Sequence, residues 1–588
     1  MRTTHPRLFS LSRLSGAAAL GLCLLSACGG SGGGASAPPP TVSGVGMGGA
    51  PAPTLTLSSA KRLDIAWPAQ PGATAIRVLV DPDGDTFEPE RVLADLPGSA
   101  TGHALEVFLP TAVQAVYRIE VCIDANCARS APAQLTGQLA EGVGYLKAAV
   151  PTFNAGLGWT VALSANGETL AVAATGVDNS TGEVLLYGRT GLGAWALQSV
   201  VRAPNGEADD SFGHALSLSA NGSILAVGAR NEDGSASAHP VTGDNNDLAD
   251  AGAVYLFERA GAGWNLAGYL KSTTAEADYN FGYRLDLSAN GATLVVGSAP
   301  PLAAGSYVEV FARAGAGWAF DTVLSMPPGS GTHAGSLAIS GDGDTVAVGA
   351  HADASGGAGV YADPLTDTSS PQSGAVHVWV REPAGWVRQA YLKSGAPHPG
   401  AEFGNAVDLS HNGNTLVVGS QGDDADEQGV VDVALHDRAG AGHVFQRDAG
   451  AWMQTTYLKA PVAGKYDHAG YSVAVSGDGL TIALGAVWED GAGHGVGGDA
   501  QDNSLTDHGA VWLFRRSFGA WNSGYYVKPS HRAPTNYGSR FGGSVSLSGN
   551  GATLAVGASG QSDNASGVVA DPTGYSGGAL LSGAAYLY

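Results

Sequence analysis

The sequence predicts an all-β chain: a seven-bladed β-propeller closed by an N-terminal strand and preceded by a small β-sandwich. Three observations predict it. Gly supplies 88 of 588 residues and charged residues only 14%, too Gly-rich for a helical protein, while 44% hydrophobic content is too high for a disordered one. A hairpin unit ending in Asn-Gly or Asp-Gly recurs seven times. Two more strand-like runs follow each of the first six hairpins and one follows the seventh, so the repeat has four antiparallel strands, the content of a propeller blade.

The chain begins with Arg2, Arg7 and Arg13, an apolar run from Ala18 to Leu25, and then Leu25-Ser26-Ala27-Cys28. A basic segment ahead of a short apolar one is the pattern of a secretory signal peptide, and it is too short for a transmembrane helix. The four residues ending at Cys28 resemble the lipobox of bacterial lipoproteins. That resemblance implies removal of residues 1–27 and a lipid on the Cys28 thiol. With Gly29 rather than Asp after the cysteine, it further implies an outer-membrane lipoprotein on the periplasmic or the surface-exposed side. Residues 28–53 read as a Gly/Ser/Pro tether reaching on the order of 25 to 30 Å as a random coil. No other run is long and apolar enough to span a bilayer, so the lipid is the expected membrane attachment.

Residues 54–138 hold short alternating runs such as Leu63-Asp64-Ile65-Ala66-Trp67 and Tyr117-Arg118-Ile119-Glu120-Val121-Cys122, bounded by Gly, Pro and Asp. These are half-buried strands of a small sandwich. Trp67 in an early strand and Tyr117 in a late one resemble a fibronectin type III domain, which would serve as a spacer between tether and propeller. Cys122 and Cys127 lie across a hairpin and are expected to form a disulfide in an oxidising envelope compartment.

Residues 139–588 carry the repeat. Its turns fall at Asn166-Gly167, Asn221-Gly222, Asn290-Gly291, Asp342-Gly343, Asn412-Gly413, Asp478-Gly479 and Asn550-Gly551, spaced 55, 69, 52, 70, 66 and 72 residues apart. Strands are thus constant and loops variable. The dipeptides predict two-residue type I′ turns with both central residues at positive φ. Fourth strands begin at Trp195, Trp264, Trp318, Trp386, Trp452 and Trp521, and several end in Tyr-Leu-Lys, as at Tyr269-Leu270-Lys271. The last repeat stops on its third strand, while Gly144-Tyr145-Leu146-Lys147 copies a fourth strand. The N-terminal strand is therefore expected to complete the last blade, since an open ring leaves unpaired edges.

Phe212-Gly213 with Gly228-Ala229, Phe281-Gly282 with Gly297-Ser298, Phe403-Gly404 with Gly419-Ser420, and Phe541-Gly542 with Gly557-Ala558 resemble FG-GAP repeats, the units of the integrin α-subunit propeller. Three repeats depart from the pattern, reading Gly158-Trp159, Ala334-Gly335 and Ala469-Gly470 at the Phe-Gly position. The resemblance implies Ca²⁺ in acidic loops between the first two strands, but here that connection is only a hairpin turn, so those sites are not carried over. Acidic residues instead populate the long loops after the second strands, including Asp353 and Asp423. A nonclassical Ca²⁺ site is the alternative to plain solvated loops at Asp244, Asn246 and Asp247 and at Asp499 and Asp502. No other cofactor is implied.

A net charge of −23 argues against nucleic acid, whose phosphates need clustered Lys and Arg. Gly574-Tyr575-Ser576-Gly577-Gly578 and Gly493-His494-Gly495-Val496-Gly497-Gly498 match a nucleophile elbow and a dinucleotide loop in letters only, because neither lies at a strand-to-helix junction. First strands offer mainly Ser, Val and Leu to the central channel, which disfavours chemistry. All long loops are expected on one rim, where binding resides. The expected function is a monomeric, non-enzymatic, envelope-anchored binding or adhesion protein that presents this face to a protein or glycan. The alternatives are a propeller lyase or hydrolase acting on polysaccharide, or a scaffold in an outer-membrane complex.

Overall fold

The computed structural model describes residues 49–84, 90–137, 139–235, 246–261, 263–299, 307–315, 317–326, 335–426, 437–531, 538–569 and 578–588. The chain divides into Met1–Gly48 and Gly49–Tyr588. The first unit, with Cys28, lies outside the described residues, so the architecture below is that of the second.

Nine short strands come first: β1 (Thr54–Ser59), β2 (Arg62–Ala66), β3 (Ala75–Asp81), β4 (Arg91–Pro97), β5 (Gly102–Glu106), β6 (Val116–Ile123), β7 (Asn126–Arg129), β8 (Ala133–Gln134) and β9 (Gly144–Leu146). One sheet has the order β1-β2-β5, and the other β4-β3-β6-β7 with β8 beside β6. Alternation places Leu63, Ile65, Ile76, Val78, Ile119 and Val121 in a shared core, which also takes Trp67 and Tyr117. The buried Trp67 indole still needs an acceptor, and its N–H donates to the Ala100 carbonyl at 2.8 Å. Cys122 and Cys127 face each other across β6 and β7 and are joined in a disulfide.

Seven further antiparallel sheets follow among the described residues, each built outward from a first strand: Leu157–Leu163, Phe212–Leu218, Arg284–Leu287, Ser336–Ile339, Phe403–Leu409, Ala469–Val475 and Phe541–Leu547. Second strands such as Ile224–Ala229 and Thr415–Ser420 are buried at every position because sheets cover both of their faces. Alternation of large with small residues makes this possible. At Gly228 an added Cβ would stand 2.2 Å from the Gly282 carbonyl oxygen of the next sheet.

The repeated turn differs from the type I′ expectation. In each of the seven, Gly takes positive φ, for example +71° at Gly167, while the preceding Asn or Asp does not. That side chain is required for hydrogen bonding instead. Asn166 Oδ1 accepts from the Ser164 hydroxyl at 2.7 Å and from the Glu168 N–H at 3.1 Å, and the Ser164 oxygen accepts the Thr169 N–H at 3.0 Å. The same side-chain pair recurs as Ser219 with Asn221, Ser288 with Asn290, Ser340 with Asp342, Ser410 with Asn412, Ser476 with Asp478 and Ser548 with Asn550. A polar turn is thereby satisfied locally, which is what Asx turns achieve.

Main-chain hydrogen bonds then link turn to turn. Asn166 donates to Ala220, Ala220 to Ala289, Ala289 to Gly341, Asp342 to His411, His411 to Gly477, Asp478 to Gly549, and Gly549 back to Ala165. The series closes on itself. First strands also carry inner-edge N–H groups with no strand partner, and the preceding sheet supplies side-chain acceptors. Ser546 accepts from Leu163, Ser217 from Leu287, Asp286 from Ile339 and Asp408 from Val475.

The seventh sheet has the order Phe541–Leu547, Leu554–Ala558, Ala584–Leu587, β9 and Val568–Val569. β9 is its fourth strand, with Tyr145 opposite Tyr586. The long loops do not all stay on one rim, contrary to the sequence expectation. Val568–Val569 pairs with β9, Val360–Tyr361 pairs with the fourth strand Gly385–Leu392, and Val496 bridges to Val527. These loops fold down and cover outer edges that would otherwise present unpaired main-chain groups.

The sandwich is packed against the end that carries the short turns. Its core runs on into Tyr145, Phe541 and Tyr586 of the seventh sheet. Buried Lys61 donates to the Ala552 carbonyl at 2.6 Å and to the Thr553 hydroxyl, and Glu106 pairs with Arg189. Deleting Gly144–Leu146 removes a fully buried strand and opens both the third strand and the Val568–Val569 fringe. The deletion is expected to abolish the cooperative thermal transition by circular dichroism. An unchanged melt would show that the last sheet closes without β9.

Candidate functional site

The strand register lays the first strands out as layers around one axis. The residue after each Phe-Gly position stands at the mouth where the long loops begin, giving Trp159, His214, Tyr283, Gly335, Asn405, Tyr471 and Gly543. In the fourth sheet Ser336 pairs with Gly349 as Ala215 pairs with Gly228, so Gly335 occupies the position after Phe-Gly and not the Gly position expected from sequence. Two positions deeper, Val161, Leu216, Leu285, Leu337, Val407, Val473 and Val545 form an apolar collar that borders the cavities on both sides of it.

Above the collar is a funnel of about 810 Å³. Its rim holds an aromatic arc in which His214 lies 6.1 Å from Trp159 and 5.0 Å from Tyr283 between ring centroids. Trp159 and Tyr471 are each 42% exposed, so both present part of a ring to the funnel. The guanidinium of Arg284 lies over the Tyr283 ring at 4.4 Å, and Arg230 approaches the same ring at 5.9 Å. Burial, with the charges of Arg284 and Arg230, pushes the His214 imidazole well below its usual range, so it is neutral. Asn405 is fixed by donating to the Gly470 and Tyr471 carbonyls at 3.0 and 3.1 Å while accepting from the Gln421 N–H at 2.9 Å. A side recess of about 290 Å³ shares Trp159, His214 and Arg230 and adds Arg540.

Below the collar the cavity is about 280 Å³ and contains two carboxylates, Asp286 and Asp408. Their position within the first strand is held by Ala or Ser in the other five sheets. Burial lifts Asp286 to about 6 against the opposing hydrogen bonds from Ile339 and Ser217. Burial lifts Asp408 to about 7, and the charge of Asp286 adds to it. The sequence expectation of Ser, Val and Leu on first strands therefore overlooks His214, Arg284, Asp286 and Asp408. All four were legible once Phe-Gly fixed the start of each first strand.

The Tyr-Leu-Lys signature has a structural role. In five sheets its Tyr and Lys close on one buried acid just beyond the second strand. Tyr269 and Lys271 meet Glu232 at 2.7 and 2.6 Å, Tyr391 and Lys393 meet Asp353 at 2.8 and 3.2 Å, and Tyr457 and Lys459 meet Asp423 at 2.7 and 3.3 Å. Tyr526 and Lys528 both meet Glu489 at 2.6 Å, and Tyr145 and Lys147 meet Asp563. Burial alone would raise Asp353 and Asp423, yet the hydroxyl and cationic partners around them hold both below the usual carboxylate range. Each cluster pins the start of a long loop to the fourth strand. Removing one partner would leave a buried charge at a cost of about 3 to 5 kcal/mol.

Among the metal candidates read from sequence, Asp244 lies outside the described residues. Asn246 donates to Glu207 at 2.7 Å, and Asp499 and Asp502 accept from the Gln501 and Ser504 N–H groups at 2.9 and 3.1 Å. Asp247 is exposed beside Asn246. Among the described residues, the grouping with ligand atoms close enough to hold an ion is Glu120 with Cys122 and Cys127, whose sulfurs are joined to each other. Residues 494 to 497 of the dinucleotide-like run lie along a fourth strand, with Lys528 donating to Gly495 at 2.8 Å.

A family model for the FG-GAP repeat matches residues 195–257, from one fourth strand through the next third strand. No curated protein matches the chain. Among solved structures it is similar to a periplasmic gluconolactonase of Pseudomonas aeruginosa at 15% identity, covering 77% of this chain and 96% of that one with a TM-score of 0.38. It is likewise similar to a protein of Bacteroides uniformis assigned as a 6-phosphogluconolactonase, at 14% identity, covering 67% of this chain and 91% of that one with a TM-score of 0.39. Hydrazine synthase of Kuenenia stuttgartiensis matches at 12% identity over 70% of this chain and 94% of that one, TM-score 0.38. At these scores the matches decide nothing about activity.

Two outcomes follow from the side-chain environments. The folded chain holds protons on Asp286 and Asp408 up to about pH 6 and 7, whereas the unfolded chain releases them near pH 4. Their effect is therefore a loss of stability as pH rises from about 4 to 7. The Asp286→Ser, Asp408→Ser double variant restores the acceptor that Ser217 and Ser546 provide, and urea melts should show a flatter pH profile than wild type over that window. For calcium, Asp499 and Asp502 already serve their own turns, so millimolar Ca²⁺ against chelator is expected to leave the melting temperature unchanged. A clear upward shift would reveal a site that binds the native state.

Proposed function

We propose that this chain is a non-enzymatic binding protein whose seven sheets are the blades of one β-propeller, closed by β9 and presenting the funnel to a glycan. The proposal is narrower than general adhesion, because it assigns recognition to one concave site. The observation that carries it is the pair of half-exposed rings, Trp159 and Tyr471, in the lining of a funnel of about 810 Å³ above the collar. Rings left open to solvent inside a concave, rigidly built site match the apolar faces of sugar rings. Catalysis is less favoured because, among the described residues of the lining, neutral His214 has no carboxylate beside it to form an acid–base pair.

The sandwich, read as fibronectin type III-like, then acts as a fixed pedestal on the opposite end, and a lipid on Cys28 with residues 29–53 would hold the assembly at the outer membrane. Sugar capture on a glycan array and from envelope extract tests the reading. The Trp159→Ala, Tyr471→Ala double variant should lose binding by at least about tenfold with an unchanged melt, as loss of central aromatic anchors does. Retention of full binding by that variant would place recognition elsewhere.

A further inference from the structure

We infer that the funnel takes a carboxylate-bearing saccharide, a hexuronate chain, with Arg230 and Arg284 receiving the acid group; this rests on the binding reading above. The chain carries 52 Asp and Glu against 29 Lys and Arg. Among the described residues, the funnel and its side recess reverse that balance: Arg230, Arg284 and Arg540 line them, and no Asp or Glu does. Such a local reversal raises the concentration of anions at the site and repels cations.

The arginines are also available. None of the three is in an ion pair among the described residues, although ten other arginines are. Arg230 Nε is buried without a hydrogen-bond partner, a donor whose cost an incoming oxygen would remove. Arg284 is held in place by the Tyr283 ring and by donating Nε to the Gly335 carbonyl and Nη1 to the Tyr283 carbonyl, both at 3.1 Å, which leaves Nη2 for a ligand. Asp250 and Asp507 feel the charges of Arg230 and Arg540 but are not part of either lining. A planar guanidinium matches the two oxygens of a carboxylate, while the half-exposed Trp159 ring beside His214 offers an apolar face to the sugar that carries it. Uronates combine both features in one residue.

The test uses the protein with four hexuronate oligosaccharides, of galacturonate, glucuronate, mannuronate and guluronate type. Each is paired with its carboxyl-reduced form, in which the acid is an alcohol on the same backbone. Calorimetry should give at least about tenfold tighter binding of one acid form over its reduced partner, weakening with salt. That preference should disappear in the Arg230→Gln, Arg284→Gln double variant while Arg516→Gln keeps it. Equal binding of acid and reduced forms would overturn the uronate inference and leave the glycan reading standing. Failure of every acid form to bind, or tighter binding of inorganic phosphate than of any uronate, would also overturn it. Array capture of a neutral glycan by the funnel would then locate the error in the charge argument alone.

Discussion

The closed circle of main-chain hydrogen bonds between successive turns, from Asn166 through Ala220 and on to Gly549 and Ala165, is the constraint on which the other features depend. A first strand has no strand on its inner side, so its N–H groups need acceptors from somewhere. Neighbouring sheets supply them through Ser217, Asp286, Asp408 and Ser546. Each sheet is thereby set at a fixed rotation from the last. The layers of side chains around the axis, and with them the funnel, are a consequence of that regular setting.

Charge is distributed along this axis with a division at the collar. Carboxylates lie on the short-turn side, where main-chain N–H groups and hydroxyls receive them, and guanidinium groups lie on the loop side, where carbonyls and ring faces do. The apolar belt lies between the two. The sandwich sits at the short-turn end, through Lys61 and Glu106, so it leaves the arginine side uncovered. A site open at one end and braced at the other is suited to recognition without rearrangement.

Strand content and repeat were legible because hairpin turns demand particular residues. Ser, Asn or Asp, and Gly at fixed offsets are readable wherever they fall, even though the conformation they adopt is not the primed turn that the dipeptide alone suggests. The end-to-end pairing of β9 was equally legible, as a missing strand in one place and a spare one in another. What the pattern hid was the direction in which loop residues turn. Asp353 and Asp423 look like solvated loop acids until the Tyr and Lys of a strand about forty residues away close on them. Arg230 and Arg284 are likewise ordinary in sequence, and only the convergence of separate sheets at one mouth reveals that no acid among the described residues lines it with them.

The pairing of Tyr145 with Asp563, 418 residues apart, also bears on how the chain comes to be folded. A ribosome releases β9 long before its partners, so the seventh sheet cannot be completed until more than 400 further residues have emerged. Until then the spare strand and the open third-strand edge are both free to pair wrongly, and the long closure makes correct pairing slow. Such a topology favours delivery of the whole chain before folding begins.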